Sequence, residues 1–139
     1  MADTVSPARR SEIMSGIRSR GTRPEMAVRR LLHSLGYRYR LHVAELPGKP
    51  DLVFPGRRKV IEVRGCFWHQ HEDPECRIAR KPRSNRDYWL PKLARNVERD
   101  AEHEQKLGAL GWEVLVIWEC EVRRGSEFLD RAVEFLEKR

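Results

Sequence analysis

No stretch of this sequence stays apolar for the roughly 20 residues that a membrane-spanning helix needs, and the N-terminus lacks the apolar core of a signal peptide. The expectation is a soluble, cytoplasmic protein with no membrane partner. Cysteine is scarce. The three present are an odd number in 139 residues, which argues against a disulfide framework and leaves metal binding or a reactive thiol, with buried inert thiols as the plain alternative. Internal repeats and low-complexity tracts are missing, so a solenoid is excluded. What remains is 40% hydrophobic and 35% charged, with four Trp, four Phe and three Tyr. Such a chain folds around a core, and its length suits one compact domain, residues 1–139, rather than two.

The charge is uneven. Of the net +7, residues 1–40 hold nine Arg against three acids, and residues 77–99 hold eight Lys and Arg against two. Residues 41–76 sum to −1 and residues 100–139 to −4. Two basic blocks around a nearly neutral middle suit a polyanion gripped from two sides, because Lys and Arg contacts to phosphate supply most non-specific nucleic-acid affinity. A merely solvated basic surface is the alternative.

Hydrophobic spacing gives the order of elements. A short basic helix over residues 8–20 opens near Ser11 and gathers Ile13, Met14 and Ile17. A second helix runs from Pro24 to about Leu35, with Val28, Leu31, Leu32 and Leu35 at helical spacing and Gly36 as its stop. Tyr37, Tyr39 and Leu41 alternate with Arg38, Arg40 and His42 as in a strand, and further strands are expected over 51–54 and 59–64. Residues 65–87 have no period and read as a loop. A long helix follows from about Tyr88 to Leu110, with Leu93, Val97 and Leu107 inward. The run from Trp112 to Trp118 is apolar enough for a buried central strand, with Trp112 and Trp118 in the core. A final amphipathic helix spans about Glu127 to Leu136. The fold class is α/β, a mixed central sheet flanked by helices.

Three constellations carry possible chemistry. Asp51 opens one strand, and Glu62 and Arg64 share a face of the next, so the three can converge. Carboxylates brought together repel unless a hard cation lies between them, which suits Mg²⁺ and phosphodiester hydrolysis, with Arg64 stabilising charge on the phosphate. This is the pattern of the PD-(D/E)XK nucleases with Arg where Lys is usual; a turn aspartate beside a surface salt bridge is the alternative. Glu25, on the preceding helix, would add a carboxylate. Second, Cys66, His69, His71, Cys76 and Cys120 supply three thiolates and an imidazole for tetrahedral zinc, with spacing silent on whether His69 or His71 binds. The histidine left over would serve as general acid or base. Third, Phe67 and Trp68 in the loop, and Tyr88 and Trp89 beside the basic block, suit rings that stack on or wedge between bases.

Together these strings are similar to the very-short-patch-repair (Vsr) DNA mismatch endonucleases: Pro47-Gly48-Lys49-Pro50-Asp51, Gly65-Cys66-Phe67-Trp68-His69, Tyr88-Trp89-Leu90-Pro91-Lys92, Asn96-Val97-Glu98-Arg99-Asp100, and Gly111-Trp112 with Val116-Ile117-Trp118-Glu119-Cys120. The opening Arg10-Ser11, Met14 and Ile17-Arg18 is similar too, so the resemblance spans about residues 8–138. It implies a restriction-endonuclease-like fold with an inserted zinc-binding loop and an N-terminal DNA-binding helix. Residues 1–22 would form a DNA-clamping arm, and residues 65–87 the loop carrying zinc and the DNA wedge. Asp51 would be the principal Mg²⁺ ligand, helped by the Val63 carbonyl. His69 would be the general base, and Glu25 would support the site through metal-bound water or through His69. Cys66, His71, Cys76 and Cys120 would hold a structural Zn²⁺. Phe67, Trp68 and Trp89 would enter the DNA from the major groove, Met14 and Ile17 would pack from the minor-groove side, and Asn96 belongs to the same DNA-binding set.

The implied activity is Mg²⁺-dependent nicking of the T strand at a T:G mismatch in double-stranded DNA, leaving a 5′-phosphate, by a monomer working beside other mismatch-repair proteins. The sequence departs from the best-known pattern at Glu62 and Arg64, where that pattern has an apolar residue and His, and in the segment Glu72-Asp73-Pro74-Glu75, which lengthens the zinc loop. An extra carboxylate at the metal is the expectation from the first departure. The competing readings are a restriction-like nickase of broader specificity and a zinc-stabilised DNA-binding module that does not cut.

Overall fold

The computed structural model describes residues 21–138; the expected helix at 8–20, with Met14 and Ile17, lies outside them. Helix α1, Arg23–Ser34, starts where the Thr22 hydroxyl accepts the Glu25 N–H at 3.4 Å. It stops at Leu35 and Gly36, where φ of +98° suits a residue without a Cβ. Val28 and Leu32 are fully buried, one turn apart, whereas Leu31 and Leu35 are 36% and 53% exposed. The apolar stripe is thus narrower than the spacing suggested, and the last two leucines lie beyond its edge.

The strands are β1 (Arg40–Leu41), β2 (Leu52–Phe54), β3 (Lys59–Arg64) and β4 (Glu113–Trp118), in the order β1-β2-β3-β4. The first three pair antiparallel and β3 pairs parallel to β4, with Glu62 opposite Val116. A parallel partner requires a crossover. Helix α2, Arg86–Ala109, supplies it. Strand β1 is shorter than expected because Tyr37 and Tyr39 instead pack edge-on against Phe54, at ring-centroid distances of 6.5 and 5.8 Å.

Alternation along β2 and β3 divides the core. Leu52, Phe54 and Ile61 face a cluster with Val28 and Leu32 of α1 and with Phe128, Ala132 and Leu136 of α4, Glu127–Glu137. Val53 and Val60 face the opposite side, where Leu107 of α2 and Val43 pack. The sheet is therefore covered by helices on both faces, a four-stranded mixed α/β layer. Burial on two faces explains the continuous apolarity of β4, but the sheet order places it at an edge, and of its residues only Ile117 is fully buried. Trp112 and Trp118 are half-buried rather than core. Arg58 lies 5.0 Å over the Trp112 ring. Val97 of α2 is likewise 41% exposed, since Trp89, Leu93 and Asn96 hold the inward stripe. A six-residue helix α3, Glu119–Arg124, follows β4 directly, its start fixed by the Trp118 N–H donating to Glu121 Oε1 at 3.1 Å. The apolar pattern of so short a helix is indistinct in sequence. Among the described residues no helix is long and apolar enough to cross a membrane.

Candidate catalytic cleft and metal centre

A cleft of about 1410 Å³ opens beside the β2–β3 end of the sheet and is lined from α1, the β strands, the 65–69 loop and α2. Asp51 sits at its floor just before β2. The antiparallel pairing carries Asp51 next to β3, and the Val63 N–H donates to Asp51 Oδ2 at 2.8 Å. Glu25, one turn into α1, is 2% exposed, and its Oε1 accepts the Gly21 N–H at 3.3 Å. Arg29, one turn further on, lies 3.4 Å from Glu25 Oε2.

Between these acids stands His42, which follows β1 and donates its backbone N–H to the Asp51 carbonyl at 3.2 Å. Its φ is +46°, a left-handed conformation that a histidine adopts at a cost. His42 Nε2 lies 3.0 Å from Glu25 Oε2 and 3.5 Å from Asp51 Oδ1, yet this buried nitrogen makes no hydrogen bond of acceptable geometry. Burial, reinforced by the Glu25 and Glu62 carboxylates and opposed by the Val63 N–H and Arg64, pushes the Asp51 pKa up to about 7. The shift comes mainly from desolvation, which a bound cation would oppose. Donor atoms of Glu25, His42 and Asp51 within 4.8 Å of one another, one an unpartnered nitrogen, fit a divalent cation.

Glu62 and Arg64 do share a face of β3. They are spent largely on each other: Arg64 Nη2 and Nε reach Glu62 Oε2 at 2.6 and 3.2 Å, and Nη2 also reaches Glu104 Oε1 at 3.0 Å. Arg64 is 8% exposed. Glu62 lines the cleft and acts on Asp51 through its charge, while the group that converges on one point contains His42 in its place.

His69 faces the same cleft from the loop after β3, its Nδ1 2.6 Å from Asp100 Oδ2 on α2. A carboxylate at Nδ1 fixes the ring and leaves Nε2 as the basic nitrogen. Asn96, one turn earlier on α2 and 8% exposed, donates from Nδ2 to the Trp68 carbonyl at 3.1 Å and so anchors the loop. Gly48 permits another close approach, since a Cβ there would lie 2.7 Å from the His103 ring.

Behind the loop, the ligand atoms of Cys66, His71, Cys76 and Cys120 all lie within 4.8 Å of one another. His71 Nδ1 is 3.4 Å from Cys120 Sγ and 3.7 Å from Cys66 Sγ. Donors on a zinc tetrahedron with bonds of about 2.3 Å stand about 3.8 Å apart, so the cluster fits zinc. Without a metal, burial pushes the Cys66 thiol well above the ordinary range and also raises that of Cys120. The His71 ring stacks on Trp118 at 4.3 Å and 15° between planes, which fixes its orientation. His71, not His69, joins this cluster.

Phe67, Trp68 and Trp89 form one aromatic cluster, with centroid distances of 5.3 Å for Phe67–Trp68, 5.4 Å for Phe67–Trp89 and 5.8 Å for Trp68–Trp89. Trp89 is 7% exposed and forms the base, while Phe67 and Trp68 are half-buried and line the cleft.

The partners of two cleft residues escape a reading of motifs, since the string that contains Asp100 does not pair it with His69. His42 looks like the polar member of a strand alternation, and Asp100 like a solvated helical acid. The available signal was one of chemistry, a histidine nine residues before a Pro-Asp turn and an acid in register with the loop histidine.

Comparison with known proteins identifies the family. The family model described as "DNA mismatch endonuclease Vsr" matches residues 2–76. The type II nicking enzyme V.XorIIP of Xanthomonas oryzae pv. oryzae is 55% identical over 122 residues, covering 88% of each chain. The type II nicking enzyme V.NmeAIP of Neisseria meningitidis is 40% identical over 136 residues, 96% of this chain and 95% of its own. DNA mismatch endonuclease Vsr of Escherichia coli is 40% identical over 133 residues, 96% of this chain and 83% of its own. By sequence match over most of its length, the chain belongs to the Vsr DNA mismatch endonuclease family.

Proposed function

We propose that this Vsr-family DNA-nicking endonuclease cuts one strand of double-stranded DNA at T:G mismatches, with Mg²⁺ at Asp51 and a structural Zn²⁺ at Cys66, His71, Cys76 and Cys120. The observation that carries the reading is the pairing, across one cleft, of the acid-lined Asp51–Glu25 pocket with the His69–Asp100 dyad. When bound, the divalent ion supplies Lewis-acid polarisation of the scissile phosphate. Asp51 and the Val63 carbonyl hold it, and Glu25 supports the site from α1. His69 Nε2 takes a proton from the attacking water, and Asp100 stabilises the imidazolium that results. Water oxygen bonds to phosphorus, the P–O3′ bond breaks, the leaving O3′ takes a proton from solvent while His69 returns its own to solvent, and the products are a 5′-phosphate and a 3′-hydroxyl. Arg64, pinned by Glu62 and Glu104, adds fixed positive charge at the rim.

Around this centre the reading is of one domain with a restriction-endonuclease-like, PD-(D/E)XK-type arrangement. Residues 1–22 act as a clamping arm whose Met14 and Ile17 meet the minor groove. Phe67 and Trp68 of the 65–87 loop wedge from the major groove, with Trp89 and Asn96 bracing them. A monomer is sufficient for a nick. The protein acts on chromosomal DNA in the cytoplasm beside other mismatch-repair proteins.

A second reading is favoured by the names of two relatives, which are type II nicking enzymes. It is a nickase of the same fold that does not require T:G. Incubation in Mg²⁺ with matched, T:G and other mismatched duplexes decides between them. Nicking confined to T:G supports the first reading, and nicking of all duplexes the second. Binding without nicking on every duplex would reduce the chain to a DNA-binding module.

A further inference from the structure

Among the cleft side chains that the proposed chemistry does not use is His42. Its backbone is held in the left-handed region at φ +46°, and its Nε2 is buried without a hydrogen-bond partner. A histidine kept in a costly conformation with a bare nitrogen in an acidic pocket would be a defect unless that nitrogen has a ligand. The distances say which kind. Neighbouring donors on an octahedral ion with bonds of about 2.0–2.1 Å stand about 3.0 Å apart. His42 Nε2 stands 3.0 Å from Glu25 Oε2 and 3.5 Å from Asp51 Oδ1. The first distance matches an octahedral edge and the second is about 0.5 Å longer, and the third pair of donors lies within 4.8 Å, so the three surround a common point. The other Asp51 oxygen is occupied by the Val63 N–H at 2.8 Å, which turns Oδ1 toward the histidine. Three different elements deliver the three donors: α1, the turn after β1, and the turn before β2.

We propose that His42 is a direct nitrogen ligand of the divalent ion in this cleft, completing a facial triad with Glu25 and Asp51. The inference rests on the metal reading given above and adds to it a donor type. A nitrogen on one vertex is a poor partner for Mg²⁺, which prefers oxygen, and a better one for Mn²⁺ and later first-row ions. The site therefore tolerates Mg²⁺ while binding Mn²⁺ disproportionately well, and His42 is the source of that bias.

The test is Mn²⁺ binding to the zinc-loaded full chain, read by electron paramagnetic resonance, with pulsed detection of ¹⁴N coupling at the bound ion. His42→Asn is the main variant, because Asn tolerates positive φ but is too short to reach the ion. A thermal melt checks its fold, and His42→Gln serves as the second variant. The expected result is a ¹⁴N signal in the parent protein that is absent from both variants, with Mn²⁺ affinity weakened at least about tenfold and Mg²⁺ affinity weakened less. Mn²⁺ that binds with no ¹⁴N coupling, or a coupling that survives in both variants, overturns the proposal while leaving the metal reading intact. Mn²⁺ binding unaffected by Asp51→Ala, or no saturable binding at all, overturns the metal reading and the proposal with it.

Discussion

His69 Nδ1 and Asp100 Oδ2 are 2.6 Å apart, and they come from a loop and a helix 31 residues apart in the chain. The contact is short enough to be charge-assisted, and it decides which ring nitrogen is free. Asp100→Asn keeps the shape but reverses the hydrogen-bond logic, favouring the tautomer whose Nε2 carries the proton. Nicking is expected to fall by on the order of 10²–10⁴, with DNA affinity nearly unchanged. Single-turnover rates and a filter-binding titration on the same duplex measure both. A variant that nicks at the parental rate removes His69 from the role of base.

Asp51 sets the response to pH in the absence of added divalent ion. Its pKa stands at about 7 in the folded protein against 3.8 for the ordinary side chain. A raised carboxylate pKa gives stability that is fully present below about pH 4 and is lost as pH rises through about 7. Asp51→Asn removes that slope and preserves an acceptor for the Val63 N–H. The variant is expected to melt above the parent at pH 8, by an amount on the order of a few kcal/mol at most, and to differ little near pH 4. It should not nick. Parallel melting curves at the two pH values check the sign. Because the same ionisation prepares the pocket for a cation, the Mg²⁺ concentration for half-maximal nicking should fall as pH rises toward 8.

How much of this was legible in the sequence depended on whether a residue acts through its own spacing or through the fold. The residues of the proposed zinc cluster come from two regions of the chain, the 65–87 loop and Cys120 on α3, yet their chemistry is unusual enough to stand out. Asp51 and Glu62 were legible for the same reason, as acids next to a turn and on a strand. The surroundings of Glu62 were not, because spacing puts Glu62 and Arg64 on one face but cannot show that the pair is largely buried or that Glu104 of α2 joins Arg64 at 3.0 Å. His42 was hidden more deeply, since its meaning depends on a left-handed backbone angle and on α1 lying across the end of the sheet. The run from Trp112 to Trp118 shows the reverse error. Its apolarity reports coverage of two faces, and only pairing determines whether a strand so covered is central or at an edge.

Zinc is expected to be a folding element. Cys66 is fully buried, and its thiol and that of Cys120 are held protonated by burial unless a cation replaces the protons. Chelation or Cys120→Ala should lower the melting temperature by more than about 10 °C. Metal analysis should give one zinc per parent chain. Active protein free of zinc, or a Cys120→Ala variant of parental stability, would count against the site.

Trp68 tests the wedge. Its ring packs 5.3 Å from Phe67 and 5.8 Å from Trp89, with its carbonyl fixed by Asn96 at 3.1 Å, so the loop is braced from below. Separating base pairs costs a few kcal/mol, less at a mismatch, and a braced ring converts that difference into preference. Trp68→Ala should shrink the ratio of mismatched to matched nicking by at least about tenfold while the melting temperature moves little. Asn96→Ala should do the same more weakly through the loop. If Trp68→Ala instead lowers stability and leaves the ratio alone, the ring is a packing residue.

The last prediction separates Glu62 from Glu25. Both are acids beside Asp51, and both raise its pKa. Glu25 Oε2 faces His42 at 3.0 Å within the group that converges on one point, whereas Glu62 Oε2 receives two donors from Arg64. An oxygen holding two close guanidinium contacts has less left for a cation than Glu25 Oε2, whose single Arg29 contact is 3.4 Å, so Glu62 is expected to act on a bound ion mainly through its charge. Glu25→Gln is therefore expected to raise the Mg²⁺ concentration for half-maximal nicking by at least about tenfold, and Glu62→Gln by less than about threefold. Arg64→Ala should behave differently from either. It strands two carboxylates, Glu62 and Glu104, with the first of them nearly buried, and breaking such a pair costs about 3 kcal/mol. It also withdraws the cation that lowers the Asp51 pKa, so the Mg²⁺ requirement rises along with the loss of stability. A Mg²⁺ titration and a melt on each of the three variants give the pattern. A Glu62→Gln enzyme whose Mg²⁺ requirement climbs as far as that of Glu25→Gln would restore Glu62 as a ligand and show that its contact with Arg64 opens when the ion binds.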